Sequence, residues 1–162
     1  MPNWVNIDER EPADLVLRVP PLPYHDRSVS EIYAGHFLEH LERAEAAEFL
    51  DECWRVLEPG GLLGIMVPDT REVMRRYVLN EPAPAEFPAG HPRDLRDLDD
   101  ACEMIIFSTV QPSRHQWAYD KFTLTRALSS AGFVNIREFD RMTDRRLSTG
   151  QWYQLGLDCE KP

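Results

Sequence analysis

One stretch, residues 31–69, constrains the fold most, because it joins a short apolar strand, a polar corner, an amphipathic helix and a second apolar strand. Apolar side chains recur in its middle at the spacing of one helix face, at Ala46, Phe49, Leu50, Cys53, Trp54 and Leu57. The Pro59-Gly60-Gly61 run predicts that the helix ends there in a glycine cap. Residues 62–67 predict a strand that is buried on both faces.

The order strand, helix, strand predicts a βαβ unit with two parallel strands and a right-handed crossover. Ligands of such sheets bind outside the carboxyl ends of the strands. Those ends are Gly35-His36 and Pro68-Asp69. The sequence therefore predicts a ligand site at these two corners.

Charge and length limit the classes of function. The chain has 162 residues, a formal net charge of −10 and a pI near 4.9, which favours one domain and disfavours nucleic acid or an anionic membrane surface as the partner. Cys53, Cys102 and Cys159 are scattered, which indicates reduced thiols and a cytoplasmic setting. We expect neither a signal peptide nor a membrane span.

Shorter elements are predicted on both sides of the βαβ unit, within a single domain over residues 1–162. We expect a surface loop at 80–93 and an insertion at 93–119 before the last helix, which Asp120 should cap. The two final strands should form an antiparallel hairpin. The expected elements are strands at 4–8, 14–19, 133–139 and 153–159, and helices at 70–79, 93–103 and 121–131.

Several phrases together resemble one family: NWVNID, PLPYHDRSVSEIYAGHFLEHL, FLDECWRVLEPGGLLGIMVPD and HQWAYDKFTLTRALSSAGFVNIRE. They are similar to the class I S-adenosylmethionine-dependent methyltransferases, in the branch with an LEH corner and an RVLKPGG turn. The resemblance implies an α/β, Rossmann-like, doubly wound sheet with the strand order 3-2-1-4-5-7-6. It also implies that S-adenosylmethionine lies across the carboxyl ends of the first four strands.

The resemblance implies roles for five residues. Asp8 matches the carboxylate that binds the ribose hydroxyls, and Leu22 lies in the loop that borders adenine. Gly35, His36 and Phe37 match the corner after the family's strand 4, beside the cofactor, and His36 is the candidate catalytic base. The alternatives are that Asp8 is an ordinary turn residue, and that His36 only caps the corner.

The chain also departs from the family pattern. No glycine-rich GxGxG loop occurs, the first match is to strand 2, and Arg18 and Ser30 stand where relatives carry Asp. We therefore expect a fold truncated at the N-terminus, with about six mostly parallel strands and an uncertain cofactor affinity. The family's central strand 1 is missing, so three outcomes are expected for its neighbours. The family's strand 2 pairs directly with its strand 4, or a homodimer or partner chain completes the sheet. In the third outcome, strands 2 and 3 pack irregularly.

Three functions remain open from the sequence. The first is methyl transfer to a small-molecule acceptor, with His115 and Trp117 bordering the pocket mouth as in relatives. The second is a catalytically degenerate methyltransferase-like binding or partner protein. The third is a zinc hydrolase, because residues 36–40 read HFLEH and fit the H-x-x-E-H pattern. The preferred interpretation is the first, and it assigns no metal ligands.

Overall fold

The computed structural model describes residues 4–79, 81, 115–139 and 154–162. The predicted loop at 80–93, the predicted helix at 93–103 and most of the insertion lie outside this part of the chain. The strands are β1 (Ile7–Asp8), β2 (Leu15–Val16), β3 (Val29–Gly35), β4 (Leu57–Pro68), β5 (Val134–Glu138) and β6 (Gln154–Glu160). The helices are α1 (Arg43–Val56), α2 (Thr70–Val78), α3 (Lys121–Ser130) and a 3₁₀ turn, Leu38–His40.

A mixed four-stranded sheet with the order β3-β4-β6-β5 forms the centre of the described structure. β3 runs parallel to β4 on either side of α1, which confirms the predicted βαβ unit. β6 lies antiparallel to both β4 and β5, so the predicted closing hairpin is also confirmed. The expectation of about six mostly parallel strands is wrong for the described residues.

The first two strands do not join that sheet. β1 and β2 pair with each other in a parallel ladder, where the Asn6 carbonyl accepts the main-chain N–H groups of Asp14 and Leu15. β1 pairs with the next segment, and the expected pairing of the family's strand 2 with its strand 4 does not occur. The edge of β3 away from β4 has no strand from the described segments beside it.

One face of the sheet packs against α1 and α3. Alternating side chains of β4 and β6 point into this layer, and they meet the apolar side of both helices. The predicted face of α1 is buried except for Trp54, which is partly buried. Leu57 is also fully buried, but it begins β4 instead of ending the helix. The centre of the core consists of Phe49, Leu50, Cys53, Leu63, Ile65, Leu124, Leu128 and Leu157.

The Pro59-Gly60-Gly61 run is not the helix cap that the sequence suggested. The helix ends at Val56, and Leu57 is already extended. Pairing moves from Val29–Leu57 to Glu31–Leu62, so four residues of β4 bulge opposite one of β3. Gly60 has φ 79°, and the main chain of Gly60 and Gly61 bonds that of Lys161. The glycines therefore serve a bulge that binds the end of β6.

The predicted cap of the last helix is confirmed. The Asp120 carboxylate accepts the Thr123 N–H at 2.7 Å and caps α3, and Gly132 with φ 93° follows the last turn. Arg55 fixes the loop between β2 and β3 to α1. Its guanidinium donates to Glu52, to Asp26 and to the main-chain carbonyls of Leu22 and Tyr24. Of the helices that the structure describes, none is long and apolar enough to cross a bilayer.

Candidate active site

The chain turns sharply at the carboxyl end of β3. The His36 N–H still donates to the Met66 carbonyl at 2.8 Å, as a continuation of the parallel ladder. His36 itself has φ 51°, a left-handed conformation that non-glycine residues rarely adopt. A residue held in this conformation indicates that the surrounding structure fixes it, and such positions cluster at functional sites.

Both nitrogens of the His36 ring have partners. Nδ1 lies 3.2 Å from Oε1 of Glu39, and Nε2 lies 2.9 Å from the side-chain nitrogen of Gln154 at the start of β6. Since an amide nitrogen can only donate, Nε2 is the acceptor, and Nδ1 carries the proton that is donated to Glu39. The two contacts hold the ring in one orientation, and its side chain is 36% exposed.

Glu39 is the buried centre of the corner. It is 1% exposed, and its Oε2 has no hydrogen-bond partner among the described residues. Its main-chain carbonyl accepts the N–H groups of Gln116 at 2.8 Å and of Trp117 at 3.2 Å. These two bonds hold the segment before α3 against the corner, although it lies far away in sequence.

The carboxylate also acts on two tyrosines. Burial first, and the negative charge of Glu39 second, raise the pKa of Tyr119 to about 12, while the charge of Arg43 opposes the shift. The same two causes raise the pKa of Tyr33. The corner is therefore a region of low polarity with negative potential, a setting that favours a positively charged ligand.

Three potential metal ligands meet at this place. One carboxylate oxygen of Glu39 and one ring nitrogen each of His40 and His115 lie within 4.8 Å of one another. The rings of His40 and His115 pack edge to face, with centroids 4.7 Å apart. In the H-x-x-E-H hypothesis the pair is His36 and His40, but His36 precedes the 3₁₀ turn, and its Nε2 is bonded to Gln154.

Two glycines let aromatic rings cover the sheet beside the corner. Gly35, Met66 and Gly156 are neighbours in the register of β3, β4 and β6. A Cβ on Gly35 would lie 2.5 Å from the hydroxyl of Tyr33, and one on Gly156 would lie 2.5 Å from the ring of Phe139. The two rings lie 6.0 Å apart. Larger residues at these positions would push the rings away from the sheet.

The other residues singled out by the sequence lie in different surroundings. Phe37 packs on Phe49 with ring centroids 5.0 Å apart, and Leu22 is 8% exposed and belongs to the core. Asp8 is exposed in the β1–β2 ladder, and its Oδ1 accepts the Arg10 N–H at 2.9 Å. Gly35 and His36 thus form the corner, and Asp8 lies in the separate small sheet.

Sequence reasoning missed Glu39, Gln154 and the metal-ligating potential of His115. It included Glu39 within the H-x-x-E-H pattern, but not as the buried centre of the corner, and placed His115 at the pocket mouth. The H-x-x-E-H pattern did mark residues 36–40 as a cluster of ligating side chains. No local pattern marks Gln154, because only the pairing of β6 with β4 brings it to the corner.

Comparisons with known proteins agree with this architecture. Solved structures with a similar fold include a possible exported protein from Bordetella parapertussis (16% identity, 86% of this chain, TM-score 0.53). A SAM-dependent methyltransferase from Archaeoglobus fulgidus is 12% identical over 85% of this chain, with a TM-score of 0.50. A SAM-dependent methyltransferase from Thermotoga maritima, described as a possible histamine N-methyltransferase, is 16% identical over 87% of this chain, with a TM-score of 0.50.

The α/β fold is therefore similar to that of S-adenosylmethionine-dependent methyltransferases. The sequence profile of the family described as "Methyltransferase domain" matches residues 7–65, from β1 into β4. The chain spans 41%, 62% and 59% of the three solved chains. No curated protein sequence matches it.

Proposed function

We propose that the chain acts in methyl transfer from S-adenosylmethionine to a small-molecule acceptor, with the corner at Gly35, His36 and Phe37 beside the methyl group. The observation that carries this proposal is the His36 ring at the carboxyl end of β3, oriented through both of its nitrogens. In open α/β sheets this end of the strands is the place where ligands bind.

The residues at the corner suit the sulfonium end of the cofactor. Gly35 is exposed at the corner, and the ring of Tyr33 covers the space that a side chain there would occupy. The buried carboxylate of Glu39 supplies negative potential towards a positively charged sulfur. The cofactor supplies an electrophilic methyl group, and the chain has to align an acceptor with it and receive the proton that the acceptor loses.

His36 can perform the second task. An acceptor N–H or O–H that takes the place of the Gln154 amide would donate to Nε2. Glu39, on Nδ1, then stabilises the protonated ring, as the carboxylate does in other histidine-carboxylate pairs. The net charge of −10 makes a small molecule a better acceptor than a nucleic acid. Asp8 and Leu22 complete the proposed cofactor contacts, on the ribose and the adenine.

Isothermal titration calorimetry with S-adenosylmethionine and with its demethylated product tests the proposal. We expect micromolar binding, weakened about tenfold in Asp8→Asn if this carboxylate binds the ribose hydroxyls. His36→Asn should lose turnover with acceptor amines or alcohols. His25→Asn, in an exposed turn, is the control. Absence of binding at millimolar ligand would overturn the proposal.

A degenerate binding or partner protein is the second candidate function, because the sequence contains no GxGxG loop. The edge of β3 that no described strand covers could pair with a second chain, which is the proposed homodimer or partner complex. Sedimentation velocity of the purified chain tests this point. A monodisperse monomer over the accessible concentration range would contradict the homodimer.

A further inference from the structure

We propose that Glu39, His40 and His115 form a three-ligand zinc site that fastens the segment before α3 to the corner after β3. Each of the three offers one ligand atom, and these atoms lie within 4.8 Å of one another. Two imidazole nitrogens and one carboxylate oxygen are a donor set that suits Zn²⁺, and three protein ligands leave the fourth tetrahedral position open.

The state of Glu39 points independently to a cation. Its side chain is 2% exposed, and Oε2 has no hydrogen-bond partner in the described part of the chain. A buried carboxylate is costly unless its oxygens are paired or bind a metal. Oε1 is occupied by the Nδ1–H of His36, so Oε2 is the oxygen that is left for the metal.

The geometry needs only a small adjustment. With Zn–N and Zn–O distances of about 2.0–2.1 Å, ligand atoms in a tetrahedral site lie roughly 3.3 Å apart. His115 Nε2 lies 4.0 Å from Oε1 of Glu39, the oxygen that is bonded to His36, so ligation through Oε2 requires the carboxylate to rotate as well. The exposed His40 ring stands edge-on to that of His115. Side-chain rotations can bring the three atoms together, because Gln116 and Trp117 already hold the main chain in place.

The site differs from the one that the H-x-x-E-H pattern suggests. That pattern makes His36 a ligand and Glu39 a general base. In the geometry described here Glu39 is a ligand, and His36 is the outer group that orients its carboxylate. Variants of the two histidines therefore distinguish the sites.

Zinc titration of the purified full chain, stripped with a chelator, tests the proposal. We expect one Zn²⁺ per chain with micromolar or tighter affinity, a rise in the Tm, and a tetrahedral visible spectrum when Co²⁺ replaces Zn²⁺. His40→Asn and His115→Asn should each weaken binding at least about 100-fold, and His36→Asn, an outer-group change, about tenfold. His25→Asn, an exposed histidine of the turn before β3, should bind as the wild type does.

Two results would overturn the assignment: a wild-type dissociation constant in the millimolar range, or a His115→Asn variant that binds zinc as tightly as the wild type. Loss of binding in His36→Asn together with full binding in His115→Asn would establish the H-x-x-E-H site instead. Circular dichroism of each metal-free variant checks that it is folded. If a variant is not folded, its titration is set aside. The zinc stoichiometry and the Co²⁺ spectrum of the wild type then decide the proposal.

Discussion

Replacing Tyr119 with Phe should remove a loss of stability that the wild type shows at alkaline pH. Tyr119 is 6% exposed, and burial, followed by the charge of Glu39, raises the pKa of its phenol to about 12 from an ordinary value of 10.0. Between these two pH values the unfolded chain loses the phenolic proton, whereas the folded chain keeps it. The stabilisation is therefore complete below about pH 10 and is lost as the pH rises through about 12.

The size of the effect follows from the shift. Each pKa unit corresponds to about 1.36 kcal/mol, and the shift of the Tyr119 phenol is about two units. By about pH 12 the free energy of unfolding of the wild type should therefore have fallen by about 2–3 kcal/mol relative to that of Tyr119→Phe. Urea unfolding of both proteins between about pH 9 and pH 12, with a chelator present, measures this difference. Tyr77→Phe, which removes a 53% exposed phenol, is the matched control.

Glu39→Gln tests the second cause separately. The pKa of Tyr119 should fall towards its ordinary value, and spectrophotometric titration of tyrosinate in Glu39→Gln, with and without Tyr119→Phe, reports this directly. Parallel stability curves for the wild type and Tyr119→Phe across the whole pH range would refute the description of the corner as buried and negative.

Three further predictions concern the scaffold. Asp120→Ala should destabilise the protein by about 1 kcal/mol in urea unfolding at neutral pH; hydrogen bonds from Thr123 lower the Asp120 pKa, so this difference should vanish as the pH falls below about 4. The Cys53 thiol, whose pKa burial raises, should resist thiol reagents in the folded protein, and mass spectrometry that finds it labelled would contradict this. Gly61→Ala should cost about 1–3 kcal/mol in thermal unfolding, because its Cβ would lie 2.8 Å from a main-chain carbonyl; an unchanged Tm would show that the bulge can relax.

The sequence predicted the elements that local patterns determine. The period of α1, the Asp120 cap and the apolar runs of β4 and β6 specify their elements through neighbouring residues. Strand pairing depends on contacts between segments, so the pairing of β1 with the neighbouring β2 could not be read from the residues of β1 alone. For the same reason Pro59-Gly60-Gly61 looked like a helix cap: its main-chain partner is Lys161, at the far end of the chain.

Only the residues of the site that lie next to each other in the sequence were predictable. Gly35 and His36 follow directly from the end of β3, so the corner was found. The groups that define its chemistry arrive from elsewhere, Gln154 through the pairing of β6 with β4 and His115 through the main-chain bonds to Glu39. Whether Asp8 and Leu22 contact a cofactor stays a prediction.

The methyl-transfer proposal and the zinc proposal both depend on Glu39, so one experiment can test them together. Its Oε1 accepts the bond from His36, while Oε2 is the proposed zinc ligand. Any ligand that moves His36 must therefore alter the carboxylate that binds the metal. Zinc and S-adenosylmethionine should change each other's affinity by the same factor, about fivefold or more, because binding linkage is reciprocal.

Paired calorimetric titrations, each ligand with and without the other, measure that factor. Glu39→Gln should bring it close to one, because the shared carboxylate is then absent. Unequal factors in the two directions would show that the titrations are not at equilibrium. Two tight but independent binding events would show that the histidine and the metal do not share this side chain, and would refute the central position of Glu39.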